Sequence, residues 1–267
     1  MKVGLALGGG GARGFAHLGV VRAMRELGIQ MHCISGTSMG AIIGGAVAAG
    51  VEEAANRWVN EPDWKKLPSL FLEFCLPRKS LIRGRKIERF FREIIPSGSF
   101  SDLKMPFAVV ATDYNNGSEV VLRNGDVHAA IRASMSIPGV FDPVEINGRV
   151  LVDGGLVNPV PVDVCRSLGA DIVIAVDVNA NRTRFARRTM SDVTIFDAFD
   201  AMFTICTNRM TEARLRDAPP DLLICPELRD IMMLDFRDVR ELVAQGYEYT
   251  MLRREEIRQM VFGNQSR

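Results

Sequence analysis

The feature that most limits what this chain can fold into is a serine set between two glycines. Ile34-Ser35-Gly36-Thr37-Ser38-Met39-Gly40 closes the short apolar run Met31 to Ile34, and the helix-compatible stretch Ala41 to Ala49 comes next. A chain that passes from strand to helix in so few residues must turn sharply, and Gly36 and Gly40 remove side chains that would collide in the turn. Ser38 then stands over the N-terminus of the new helix, where the positive end of the dipole favours a developing alkoxide. The same letters also describe a Gly-rich turn whose serine caps a helix. The surroundings have to decide between the two.

Val3 to Leu7 reads as a buried strand, Gly8-Gly9-Gly10-Gly11-Ala12-Arg13-Gly14 follows, and Phe15 to Leu27 carries apolar residues at helical spacing before Gly28. Strand, glycine loop and helix together make an anion-binding turn, with backbone N–H groups facing a negative charge. Gly9, Gly11 and Gly14 satisfy a dinucleotide fingerprint, but the next strand ends in Ser35-Gly36-Thr37-Ser38 without the carboxylate that would hold a ribose. A P-loop needs Lys followed by Ser or Thr after the last glycine, and neither follows Gly14. An oxyanion hole, two N–H groups aimed at a tetrahedral acyl intermediate, is the reading that also explains a serine elbow at the following junction. Tight packing with no ligand is the plain alternative. Arg13 either backs the hole electrostatically or braces the loop.

Farther along, a helix is expected over Val51 to Val59, and then a proline-punctuated segment, Glu61 to Lys79, apolar in its middle and basic at its flanks. That segment suits a helical cap over the core, or equally the wall of an acyl pocket or a flap in transient contact with a membrane surface. Helices are expected at Gly84 to Ile95 and Asp126 to Met135, and strands at Phe107 to Thr112, Glu119 to Leu122 and Val150 to Val152, with hairpin turns at Asn116-Gly117 and Asn147-Gly148. Asp153-Gly154-Gly155 closes the last of these strands, a good place for a catalytic carboxylate or for an Asx-turn. A helix from Asn158 to Leu168, a strand from Ile172 to Val176 and a late strand from Leu222 to Cys225 complete an α/β pattern with a mainly parallel sheet. Asn179 to Ser191 is polar and carries four arginines, the pattern of a solvated loop or a phosphate-facing lid. The apolar stripe Val193, Phe196, Phe199, Met202, Phe203, Cys206 and Met210 predicts a core-facing or partner-facing helix, and Arg237 to Phe262 a single terminal helix.

Composition narrows the function. With 267 residues and 47% apolar content one domain spanning 1–267 is expected. A net charge of +1 argues against nucleic acid as a partner. Five scattered cysteines (Cys33, Cys75, Cys165, Cys206, Cys225) without a Cys-x-x-Cys suit reduced thiols and give no metal site. No signal peptide or membrane span is legible, so the expected location is the cytoplasm, with visits to a membrane periphery left open.

A serine nucleophile needs a base. The chain holds only His17, His32 and His128, all before Asp153, so the usual order of serine, acid and histidine is missing. A direct Ser38–Asp153 dyad becomes the leading expectation, with His17 as the alternative because it lies in the helix after the glycine loop. An exposed aspartate, with a pKa near ~3.9, is a feeble base; burial would raise it.

Gly9-Gly10-Gly11-Ala12-Arg13-Gly14, Gly36-Thr37-Ser38-Met39-Gly40 and Asp153-Gly154-Gly155 resemble, in order, the three signatures of the patatin-like phospholipases. The run from Arg132 through Pro138-Gly139 to Asp153-Gly154-Gly155 is similar to the bacterial branch related to neuropathy target esterase. The likeness covers about Met1 to Val178, and the remainder, 179–267, is more divergent. It implies a three-layer α/β/α fold and a hydrolase of lipid acyl esters, a lysophospholipase or phospholipase A, that needs no cofactor or metal. Carried over by position, Ser38 is the nucleophile, Asp153 the base, and Gly9, Gly10, Gly11 and Arg13 form the oxyanion hole, chiefly through the amides of Gly10 and Gly11. The rival expectation is a regulatory member of the same fold that binds lipid or protein with little turnover. Head group, acyl preference and oligomeric state are not legible.

Overall fold

A computed structural model describes residues 1–53, 84–180, 193–228 and 231–263. In chain order these form β1 (Val3–Leu7), α1 (Ala16–Glu26), β2 (Met31–Thr37), α2 (Met39–Ala49), α3 (Arg85–Ile94), β3 (Phe107–Asp113), β4 (Glu119–Leu122), α4 (Val127–Ser134), β5 (Val144–Ile146), β6 (Arg149–Asp153), α5 (Val162–Ser167), β7 (Ile172–Val176), α6 (Ile195–Asp217), β8 (Leu222–Ile224), α7 (Val239–Leu252) and α8 (Arg254–Phe262).

The strands make one sheet in the order β5-β6-β3-β2-β1-β7-β8, with β4 also paired to β3. The five strands from β3 to β8 run parallel; β4, β5 and β6 add an antiparallel edge. Period-two alternation explains why both faces are covered. Val3, Leu5 and Leu7 of β1 and Ile172, Ile174 and Val176 of β7 point into a large core shared with α1 and α2. Their neighbours Ala6, Val173 and Ala175 point the other way, into a second core with Val160, Val162 and Cys165. Burying a side chain such as Leu5 or Leu7 contributes roughly 1.5–3 kcal/mol, and these two are almost wholly buried.

The chain builds β1, β2 and β3 to one side of β1 and then returns to lay β7 and β8 on the other. The reversal leaves a crevice beyond the carboxyl ends of β1 and β7, the usual place for a ligand in such sheets. The glycine loop leaves β1 there, and Asp177 to Asn179 leave β7 beside it.

Several boundaries differ from the sequence reading for identifiable reasons. The second strand continues through Ser35, Gly36 and Thr37, because the Ser35 and Thr37 hydroxyls donate to the carbonyls of Pro161 (2.7 Å) and Asn158 (2.8 Å) and so can be buried. The helix expected from Asn158 starts only at Val162, after Pro159 and Pro161. The single terminal helix is two, joined at Arg253, whose guanidinium donates to the Leu223 carbonyl of the edge strand β8 and pairs with Glu256. The stripe on α6 is split: Phe199 and Phe203 pack against the core, while Met202 and Cys206 are exposed. The expectations for Glu61 to Lys79, for most of Val51 to Val59 and for nearly all of Asn179 to Ser191 fall outside the described residues.

Candidate active site

Ser38 is the first residue after β2 and the N-cap of α2, with φ 54° and ψ −120°. A non-glycine residue held there is strained, and the surroundings hold it firmly. Its N–H donates to Ser134 Oγ on α4 at 2.8 Å, and that hydroxyl donates onward to the Val110 carbonyl at 2.6 Å. Its own carbonyl starts α2 by accepting from Ala41 and Ile42. The flanking glycines are required by space. A Cβ on Gly40 would lie 2.1 Å from the Leu7 carbonyl oxygen, and one on Gly36 would lie 2.5 Å from that of Gly40.

Strand register brings Asp153 alongside. Thr37 pairs with Val110 of β3, and the next residue of β3, Ala111, pairs with Asp153 on the opposite side. Ser38 and Asp153 therefore stand level across one strand. Asp153 is 1% exposed, and its Oδ1 accepts the Gly155 N–H at 2.7 Å. Its Oδ2 is buried without a hydrogen-bond partner among the described residues. Burial pushes the carboxyl up to about 7, against the opposing pull of the Gly155 amide and of the Ser38 side chain, which favour the charged form. The serine is thus a near neighbour of the carboxylate, and Oδ2 is the oxygen left for its hydroxyl.

The glycine loop passes over both. Gly8 N–H donates to the Val176 carbonyl and Gly9 N–H to that of Pro159, each at 3.0 Å. Among the described residues nothing accepts from the N–H groups of Gly10 or Gly11, and both residues line the same cleft as Ser38 and Asp153. Gly9 is therefore corrected as a donor, since its N–H is already engaged. Its Cα instead faces the serine, and a Cβ there would lie 3.4 Å from Ser38 Cβ. Arg13 is buried, and its Nη1 donates at 3.0 Å to the carbonyl of Ile231. With Ala12 N–H donating to the Met233 carbonyl at 2.8 Å, it braces the loop against residues 231–233.

His17 lies close by but is turned to another task. It is fully buried, and its Nε2 sits 2.7 Å from the Gly8 carbonyl. Because that oxygen can only accept, Nε2 carries the proton. Burial lowers the ring's pKa to about 4 despite this bond, so the imidazole is neutral at ordinary pH. Ser38 and Asp153 line the cleft; His17 does not.

The cleft holds about 330 Å³ of space counting its open mouth, and it is completed by Gly155, Pro159, Asn179, Phe203, Thr207 and Met233. Apart from Gly155, which belongs to the Asp153-Gly154-Gly155 signature, sequence reasoning singles out none of these for the site. Phe203 and Thr207 lie one turn apart on α6, a signal available in the sequence but shared by every helix. Asn179 comes three residues after the end of β7, at the start of the polar, arginine-rich run, whose composition reads as loop.

A family description, patatin-like phospholipase, matches residues 5–166, a span holding the glycine loop, Ser38 and Asp153. The chain belongs to the patatin-like phospholipase family. An NTE family protein of Mycobacterium bovis is 39% identical over 193 residues, covering 72% of this chain and 53% of the relative. Human patatin-like phospholipase domain-containing protein 6 is 35% identical over 185 residues, 67% of this chain and 13% of that one. The chain thus spans about half the length of the mycobacterial relative and a small part of the human one. In fold it is similar to VipD from Legionella pneumophila, with a TM-score of 0.53, 14% identity, and coverage of 96% of this chain and 66% of that one. Among the described residues no helix is long and apolar enough to cross a membrane.

Proposed function

We propose that this patatin-like chain is a serine esterase that hydrolyses acyl esters of lipids, a lysophospholipase or phospholipase A, through a Ser38–Asp153 dyad. The observation that carries the reading is a single juxtaposition. A serine on a strained elbow stands beside a buried carboxylate oxygen that has no hydrogen-bond partner among the described residues, in a cleft that also presents two amides unengaged by them.

Asp153 takes the proton of Ser38 as Oγ attacks the ester carbonyl. A carboxyl titrating at about 7 is ionised in half of the molecules at neutral pH and is a far stronger base than an exposed aspartate. The oxyanion that forms is held by the N–H groups of Gly10 and Gly11 and by the N-terminus of α2. Protonated Asp153 then gives its proton to the leaving alcohol, which leaves an acyl ester on Ser38. Water enters, loses a proton to Asp153 and attacks the acyl carbon; the fatty acid departs and Ser38 recovers its proton. Phe203 and Met233 supply apolar surface for the acyl chain. The chain acts as one cytoplasmic domain, meeting membrane surfaces transiently for its substrate.

The test is a panel of lysophospholipids, phospholipids and soluble nitrophenyl esters, with Ser38→Ala as control. The reading expects turnover of acyl esters by the natural chain and none by the variant. Equal turnover by both would refute it.

A further inference from the structure

The glycine loop is held peptide by peptide, and one side chain sets the direction of the amide that matters most. The peptide joining Gly8 and Gly9 is tied at both ends, its carbonyl to His17 and its N–H to Pro159. The next peptide, joining Gly9 and Gly10, is tied at one end only. Its carbonyl accepts from Asn179 Nδ2 at 2.8 Å, and its N–H belongs to Gly10. In a trans peptide the carbonyl and the N–H point in opposite directions, so a bond that fixes one aims the other; the chain has no cis peptide bonds among the described residues.

Asn179 is well placed for this. Its side chain is 7% exposed. The residue leaves the end of β7, and its own N–H donates at 2.8 Å to Asp177 Oδ1. The amide cannot be turned round, because the Gly9 oxygen accepts and only the NH₂ group donates. Its Oδ1 is buried without a hydrogen-bond partner among the described residues and lies beside Gly10, where a Cβ would be 3.4 Å away.

We infer that Asn179 is a positioning residue for ester hydrolysis: by holding the Gly9 carbonyl from behind, it aims the Gly10 N–H at the oxyanion that forms on the Ser38 adduct. This rests on the esterase reading above. Asn179 touches neither substrate nor nucleophile in this role and acts only through the peptide it holds.

The test compares the natural chain with Asn179→Ala and Asn179→Asp on a nitrophenyl acyl ester, with thermal unfolding measured for each. Loss of a whole oxyanion donor costs about 10²–10³-fold in kcat, so a misaimed one should cost about 10–100-fold. The expected result for Asn179→Ala is that loss in kcat with KM within about twofold of the natural value. Asn179→Asp adds a readout that a packing role would not move. Its carboxylate cannot donate to the Gly9 oxygen, whereas its protonated form can, so its kcat relative to the natural chain should rise as pH falls from 8 to 5. Among the described residues the titratable and charged groups around the position are Asp177 at the same strand end, Arg13 beneath the loop and Asp153 across the cleft. All three are present in both proteins, so the ratio isolates the substituted group.

A folded Asn179→Ala with natural kcat, a loss confined to KM, or a ratio that does not change with pH would overturn the inference. Should Asn179→Ala not fold, the pH behaviour of Asn179→Asp decides alone. Absence of turnover in the natural chain itself would instead overturn the esterase reading and the inference with it, and is recognised because the unsubstituted protein is inactive.

Discussion

Replacing Asp153 by asparagine should make the protein more stable, and increasingly so as pH rises. The Asp153 carboxyl is lifted from its ordinary 3.8 to about 7 because burial disfavours its charge. Between those two values the folded chain keeps a proton that the unfolded chain releases. The stability this group contributes is therefore complete below pH 3.8 and is lost as pH rises through 7. Summing the two titrations, ionisation of Asp153 costs the fold roughly 2 kcal/mol at pH 5 and roughly 4 kcal/mol at pH 8. Asparagine has nearly the same shape, and its carbonyl oxygen can accept from Gly155 as Oδ1 does, but it carries no proton to lose. The stability difference between variant and natural chain should grow by roughly 2–3 kcal/mol from pH 5 to pH 8. Urea unfolding of both proteins at pH 5, 6, 7 and 8 measures this directly. Curves that stay parallel across that range would refute the argument that burial holds this carboxyl neutral.

In the natural chain, kcat/KM for an acyl ester should rise about tenfold between pH 6 and pH 8 with a midpoint near 7, since only ionised Asp153 can take the serine proton; a pH-rate profile flat across that range would contradict it. His17→Ala should retain turnover, because the ring is neutral and engaged with the Gly8 carbonyl, yet should lose about 1–3 kcal/mol of stability by leaving that buried oxygen unpaired. Parallel esterase and urea measurements separate the two effects. Gly40→Ala should give insoluble or unfolded protein, since its Cβ would stand 2.1 Å from a backbone oxygen of β1 that cannot move aside; a soluble, active variant read by circular dichroism and esterase assay would overturn the packing argument.

The elements that carry the site were legible because their signals are local. The strand Val3–Leu7 and the strand Ile172–Val176 are short apolar runs between glycines and polar residues, and both appear with the bounds expected. Ser38 could be placed on its elbow because Gly36 and Gly40 have no other use at that spacing. Asp153 was picked out by the two glycines after it, and the strand register that sets it level with Ser38 is a long-range property no local pattern reveals. The same holds for the loop amides. Which of the four consecutive glycines keeps a free N–H among the described residues depends on Val176 and Pro159, whose carbonyls accept from Gly8 and Gly9, and the aim of the Gly10 N–H depends on Asn179, which donates to the Gly9 carbonyl; all three lie far along the chain. The last third was harder to read because α6 carries apolar residues on more than one face, so its stripe does not tell a core face from an exposed one.

The claim at the centre is that the hydroxyl of Ser38 is activated by Asp153, and a fluorophosphonate probe with intact-mass detection tests it most directly. The account predicts one adduct per chain, mapped by peptide digestion to Ser38, absent in Ser38→Ala and formed about 10³-fold more slowly in folded Asp153→Asn. Labelling at another residue, or at Ser38 with a rate indifferent to the loss of the Asp153 carboxylate, would contradict it.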